Sequence, residues 1–164
     1  MSIAAGPVVG IGQLAASGER GVVISALGLG SCIGLVLADP GARVAGMVHV
    51  MLPDSSTAST DGPPGKYADT AVPALIDSLC RLGADRGRLT GAMAGGAQMF
   101  GGGSGGGVLR IGERNTEAVR VALRAAGVRL RAADTGGSQG RSLQVEVATG
   151  RVTVRAVGGE PAEL

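Results

Sequence analysis

An α+β fold, mostly antiparallel sheet with two amphipathic covering helices, is what this sequence predicts, and three observations carry the prediction. Short β-type apolar runs recur along the chain, bounded by glycine, proline and aspartate punctuation. Only two stretches repeat apolar residues at helical spacing. The chain has 164 residues, 45% of them hydrophobic, enough for one domain, residues 1–164, that buries a core without disulfides or metals.

Taken in order, strands are expected at residues 8–14, 21–27, 32–37, 43–51, 89–94 and 128–133, with a final pair at 143–148 and 151–157. That last pair alternates apolar and polar residues about Thr149 and Gly150, a hairpin signal. One helix is expected from Tyr67 or Thr70 to Leu82, stopping at Gly83. Pro73 fits it best if Thr70 is the cap, because first-turn amides lack helical partners. Its apolar stripe is Val72, Leu75, Ile76, Leu79 and Cys80, which reads Cys80 as a small buried hydrophobe. A second helix is expected to start at a capping Asn115, with Glu117 in its first turn, apolar residues at 119, 122, 123 and 126, and a stop at Gly127. Loops fall at 53–66, 101–107 and 135–141.

Composition excludes several function classes. Phe100 and Tyr67 are the only aromatic residues, so the core is aliphatic and stacking on single-stranded nucleic acid has no platform. Fifteen basic against thirteen acidic residues give a net charge of +2 without a dense basic run, so charge does not point to nucleic acid. No apolar window is long enough to span a bilayer, and residues 1–17 lack the basic start of a secretory signal. A cytoplasmic protein without membrane insertion is expected, and in that compartment its two cysteines stay free. Neither cysteine has zinc-type spacing, so no metal or cofactor is expected. The glycine tract at 101–107 lacks the Gly-Lys-Ser/Thr of a phosphate loop and reads as a flexible linker. The glycines at 28, 30 and 34 miss the dinucleotide fingerprint by one position.

The chemistry-bearing pair is Cys32 and His49, the latter being the only histidine in the chain. A thiol is mostly protonated at neutral pH, and imidazole is the usual base that makes it nucleophilic. Residues 38–43 (ADPGAR) read as a turn between two apolar runs. If the strands fold back about Pro40 and Gly41, residue 38 faces 43 and residue 32 faces 49, with Cβ atoms about 5 Å apart. A slip of one residue would put the two side chains on opposite faces.

Six segments together resemble the CheD family: LGLGSC at 27–32, VHVMLPDS at 48–55, GKYADTA at 65–71, AGGAQMF at 94–100, IGERN at 111–115 and DTGG at 134–137. They occur in family order over nearly the whole chain. The resemblance implies a compact layered α/β/β sandwich, similar to the catalytic domain of cytotoxic necrotizing factor toxins. It also implies a protein-glutamine deamidase that converts glutamines of methyl-accepting chemotaxis receptors to glutamate. A CheC-type phosphatase is the implied regulatory partner.

The resemblance places the nucleophile at Cys32 and the general base at His49. The family's third position, a threonine six residues before the cysteine, falls here on Ala26, with Ser25 beside it. Ser25 could supply the missing hydroxyl only if a bulge re-aimed it, since alternate strand residues face opposite ways. Backbone N–H groups at Gly30, Ser31 and Cys32 are candidate oxyanion donors. Tyr67, Arg114, Asn115, Asp134, Thr135 and Arg141 also fall in family-like segments and read most simply as structural. Two alternatives compete: a non-catalytic interaction module, favoured by Ala26, and another cysteine-histidine enzyme such as a peptidase or transglutaminase.

Overall fold

The computed structural model describes residues 5–56, 62–98 and 110–164, so the expected linker at 101–107 lies outside the described residues. Ten strands and two helices are assigned among them. In chain order they are β1 (Ala5–Val8), β2 (Leu14–Ser17), β3 (Val23–Leu29), β4 (Ile33–Asp39), β5 (Val44–Val50), α1 (Ala68–Arg81), β6 (Thr90–Gly95), α2 (Ile111–Ala126), β7 (Arg129–Thr135), β8 (Arg141–Glu146), β9 (Arg151–Ala156) and β10 (Ala162–Glu163).

The strands form two five-stranded sheets, β1-β3-β8-β9-β10 and β2-β5-β4-β6-β7. Among the described strands, β1–β3 and β6–β7 pair in parallel and the other pairs are antiparallel; β6 and β7 are joined by the α2 crossover that a parallel connection requires. Every residue of β4 and β5 is buried, because these strands have a core on each face. Leu35, Leu37, Val48 and Val50 pack with Leu75, Leu79, Val119 and Leu123 of the helices. Val36 and Met47 on the other face pack with Ile24, Ala26, Leu143 and Val145 of the opposite sheet. The result is the expected helix/sheet/sheet layering.

Several local expectations change. The single strand expected at 8–14 is two strands in different sheets, broken where Gly12 takes φ +79 and Gln13 Oε1 accepts the Gly10 N–H at 2.8 Å. Thr70 is not the cap of α1: the helix begins at Ala68, Pro73 lies inside it, and the Thr70 hydroxyl donates to the carbonyl of Pro64. Cys80 is exposed, because the buried stripe of α1 runs through Ala68, Ala71, Val72, Leu75, Ile76 and Leu79 and leaves position 80 at its edge. Asn115 is no cap either, since α2 begins at Ile111.

The β4–β5 turn is centred one residue later than Pro40 and Gly41. Asp39 pairs with Val44, so residues 40–43 form a four-residue loop in which Arg43 adopts φ +57. Asp39 anchors it, accepting from Ala42 N at 3.3 Å and Asp85 N at 2.8 Å, and from Arg88 Nε and Nη2 at 3.1 and 3.0 Å. Arg88 and these donors hold the Asp39 carboxyl down to about 2 from an ordinary 3.8. A carboxyl lowered on folding stabilises the fold fully above its unfolded value and loses that contribution as pH falls through about 2. Asp39→Asn is therefore expected to lower unfolding free energy by about 2 kcal/mol at neutral pH. Denaturant titrations should show the difference between the two proteins shrinking as pH drops from about 4 toward 2.

Candidate active site

Cys32 and His49 share one face of the second sheet. The β4–β5 ladder pairs Gly34 with His49 and Ile33 with Val50, so continuing it would set residue 32 against Met51. The register is thus two residues from the expected one, which preserves the face and makes Cys32 and His49 diagonal neighbours. Ladder diagonals lie about 7 to 8 Å apart between backbones, within reach of a ring and a thiol. Alternation puts His49 with Met47 on the inter-sheet side, and Cys32 packs against that same inter-sheet cluster. Gly34, directly opposite the imidazole, adds no side chain there; a Cβ would sit 3.0 Å from both Leu29 and Leu143.

His49 is held at three points by the β1–β2 connection, two on its main chain and one on its ring. His49 N–H donates to Gln13 O at 3.0 Å, and His49 O accepts from Gly12 N at 2.9 Å. The ring Nδ1 lies 3.0 Å from Val9 O. A carbonyl can only accept, so Nδ1 carries the proton and Nε2 is left as the basic nitrogen. His49 is almost completely buried, at 5% exposure.

Cys32 is half-buried just before β4, and burial pushes its thiol up from the ordinary range. It is therefore a protonated thiol at neutral pH, in need of a base at the moment of attack. The backbone around it is fastened through its carbonyls. Gly30 O accepts from Ala97 N at 2.8 Å, Cys32 O from Gly96 N at 2.9 Å, and Ser31 O from the Asn115 side chain at 3.0 Å. Among the described residues, the N–H groups of Gly30, Ser31 and Cys32 have no protein partner. A nucleophile flanked by unpaired backbone donors is the arrangement that acyl transfer uses to hold an oxyanion.

Ser25 lies on the other side of its sheet. It pairs with Gln144, whereas Ile24 and Ala26 belong to the inter-sheet cluster. The bulge that could have re-aimed it falls later, between Ala26 and Leu29, where Gly28 takes φ +65. Its hydroxyl is thus kept from the imidazole, but its main chain contributes: Ser25 O accepts from Val9 N at 2.8 Å and so fixes the residue whose carbonyl orients His49.

Sequence reasoning missed the supports of this site. Arg141, 7% exposed, donates to the Asp134 carboxylate and carbonyl, both at 2.9 Å, and to the carbonyls of Gly136 and Gln139. Gly136 N in turn reaches Gly95 O at 3.0 Å, and Gln98 N reaches Gly137 O at 2.9 Å, which braces residues 95–98 behind the cysteine. Family-like spacing marked Asp134 and Arg141, yet only their contacts reveal that they buttress the 95–98 segment. Tyr67 precedes α1, and its carbonyl accepts from Thr70 N at 3.2 Å and Ala71 N at 2.8 Å in the first turn of that helix.

A groove of about 990 Å³ between α1 and α2, lined by Ile76, Cys80, Ala118 and Val121, lies on the helical side of the sheet. Cys80 there has no histidine available, since the chain's one imidazole faces the other way. Among the described residues no cluster of three or more His, Cys, Asp or Glu could hold a metal, and no helix is long and apolar enough to cross a membrane.

Comparison with known proteins gives a family match over residues 51–156, described as CheD chemotactic sensory transduction. The chain is 49% identical over 157 residues to the probable chemoreceptor glutamine deamidase CheD of Symbiobacterium thermophilum, covering 95% of each protein. It is 47% identical over 152 residues to the chemoreceptor glutamine deamidase CheD of Thermotoga maritima, covering 93% of this chain and 92% of that one.

Proposed function

This chain belongs to the CheD family, and from that premise we propose that it is a protein-glutamine deamidase acting on methyl-accepting chemotaxis receptors. The observation that carries the catalytic assignment is the Nδ1–H bond from His49 to Val9 O, which presents Nε2 as a base on the face that Cys32 shares. His49 Nε2 takes the Cys32 proton, and the sulfur attacks the side-chain carboxamide carbon of a receptor glutamine. Negative charge gathers on the amide oxygen, opposite the free N–H groups of Gly30, Ser31 and Cys32. The imidazolium then protonates the departing nitrogen, ammonia leaves and a thioester remains. Water, deprotonated by the same Nε2, adds to the thioester; the sulfur leaves and glutamate is released.

Ala26 does not defeat this reading, because the imidazole has its orienting acceptor in the main chain rather than in a hydroxyl. A deamidase with free thiols at Cys32 and Cys80 fits the reducing cytoplasm, and a CheC-type phosphatase is the regulator we assign to it.

The deciding experiment incubates the native chain with receptor cytoplasmic domains and reads their peptides by mass spectrometry while following ammonia. Glutamine peptides that gain one mass unit, matched by ammonia, are the expected result. Receptor binding with unchanged peptide masses would instead identify an interaction module. Incorporation of an added primary amine in preference to water would identify a transglutaminase.

A further inference from the structure

We propose that Asn115 is a positioning residue that sets the spacing of Cys32 and His49, an inference that rests on the dyad reading above. Asn115 lies in the second turn of α2 and is completely buried. Its side-chain amide donates to two carbonyls at once, Ser31 O at 3.0 Å and Met51 O at 2.8 Å. Ser31 immediately precedes the nucleophile, and Met51 lies two residues beyond the base.

These two carbonyls sit where the sheet gives out. The last rung of the β4–β5 ladder joins Ile33 to Val50, and the next pair in register would be Cys32 with Met51. That rung is not formed; the Asn115 amide bridges the two strand ends in its place. The substitution has a chemical consequence. Bonded pairs alternate along an antiparallel ladder, so the next hydrogen-bonded rung after Ile33–Val50 would be Ser31 with Leu52 and would engage both the N–H and the carbonyl of Ser31. A side-chain bridge to Ser31 O instead fixes the loop while leaving the N–H groups of residues 30–32 without a protein partner among the described residues.

Two further features support a specific role over simple packing. Gly112 lets α2 reach the site: a Cβ there would stand 2.5 Å from Gly96 O and 2.6 Å from Ala97 O. Gly112 and Asn115 are three residues apart, on one face of the helix. The second feature is the Asn115 Oδ1, which is buried and has no hydrogen-bond partner among the described residues. An apolar residue of the same size would avoid that desolvation penalty, so the amide is kept for what its two donors hold.

The test uses the full chain with Cys80 changed to Ser, so that alkylation reports Cys32 alone. In that background Asn115→Leu keeps the branched shape of the side chain and removes both donors. Displacing a reacting group by about 1 Å costs about a hundredfold, so kcat for deamidation is expected to fall ten- to a hundredfold with KM nearly unchanged. The pH profile of Cys32 alkylation should move toward that of His49→Ala. Asn115→Asp is the second variant. Its buried carboxyl, facing two carbonyls, can donate one hydrogen bond only while protonated. Its activity relative to the parent should therefore decline reversibly as pH rises, with circular dichroism unchanged.

Native kcat and a native alkylation profile in folded Asn115→Leu would overturn the proposal. Were that variant not to fold, a flat activity ratio for folded Asn115→Asp across the pH range would overturn it equally. Failure of the underlying reading looks different: Cys32→Ala would then keep deamidating. The alkylation profile still reports on Asn115 in that event, because it requires no receptor.

Discussion

Cys32→Ala is expected to bring receptor deamidation down to the uncatalysed rate. The variant removes the thiol on the His49 side of the sheet, and the other cysteine, Cys80, is exposed on α1 across the sheet. His49→Ala should reduce turnover by a factor of about 10² to 10⁴, the usual contribution of a positioned general base. The loss should be near the upper end here, because burial raises the Cys32 thiol and leaves little thiolate to act unassisted. Both residues act in one proton transfer, so the double variant should be no slower than Cys32→Ala. Peptide mass spectrometry and ammonia release measure all three. Persistent conversion of receptor glutamines by Cys32→Ala would remove the thiol from the mechanism.

Gly95→Ala is expected to have the next largest effect, through geometry instead of chemistry. Gly95 ends β6 at φ +119, a conformation that side chains rarely adopt. A Cβ there would drive into the Cys32 carbonyl, far inside van der Waals contact, and would crowd the Ile33 Cα at 3.3 Å. That carbonyl is the one that Gly96 N holds, so any relief must shift Cys32 or break the bond that fixes it. Activity should drop by about a hundredfold, the penalty expected for a displacement of about 1 Å. Thermal unfolding should also occur at a lower temperature. A Gly95→Ala protein with native turnover would mean that the cysteine loop tolerates movement, contrary to the fastened geometry described above.

Much of this site was legible in the chain. The single histidine, the turn at residues 38–43 and the flanking apolar runs were enough to bring Cys32 and His49 onto one face. The two-residue error in register left that conclusion intact, since strand side chains alternate with period two. The error itself came from Asp39: its carboxylate gathers Ala42, Asp85 and Arg88, and this network sets the turn over residues 40–43, one residue later than the Pro40/Gly41 centre. Asp85 and Arg88 are more than 45 residues away in sequence, so nothing local announces it. Asn115 shows the same limit. An asparagine ahead of an apolar repeat reads as a helix cap, yet its partners lie 84 and 64 residues away. Val9 carried no signal either, because what it supplies to His49 is a carbonyl, a group that every residue possesses.

The sequence by itself therefore determined the α+β class, the presence of two amphipathic covering helices and the one thiol–imidazole pair that strand alternation could bring to a common face, because hydrophobic period and residue chemistry are local properties. Only the tertiary structure decided which way the imidazole is turned, which backbone groups around Cys32 remain unpaired and which side chain joins the two strand ends. Those outcomes depend on hydrogen bonds between segments far apart in the chain, and such bonds form wherever folding brings a donor and an acceptor together, whatever their residue types.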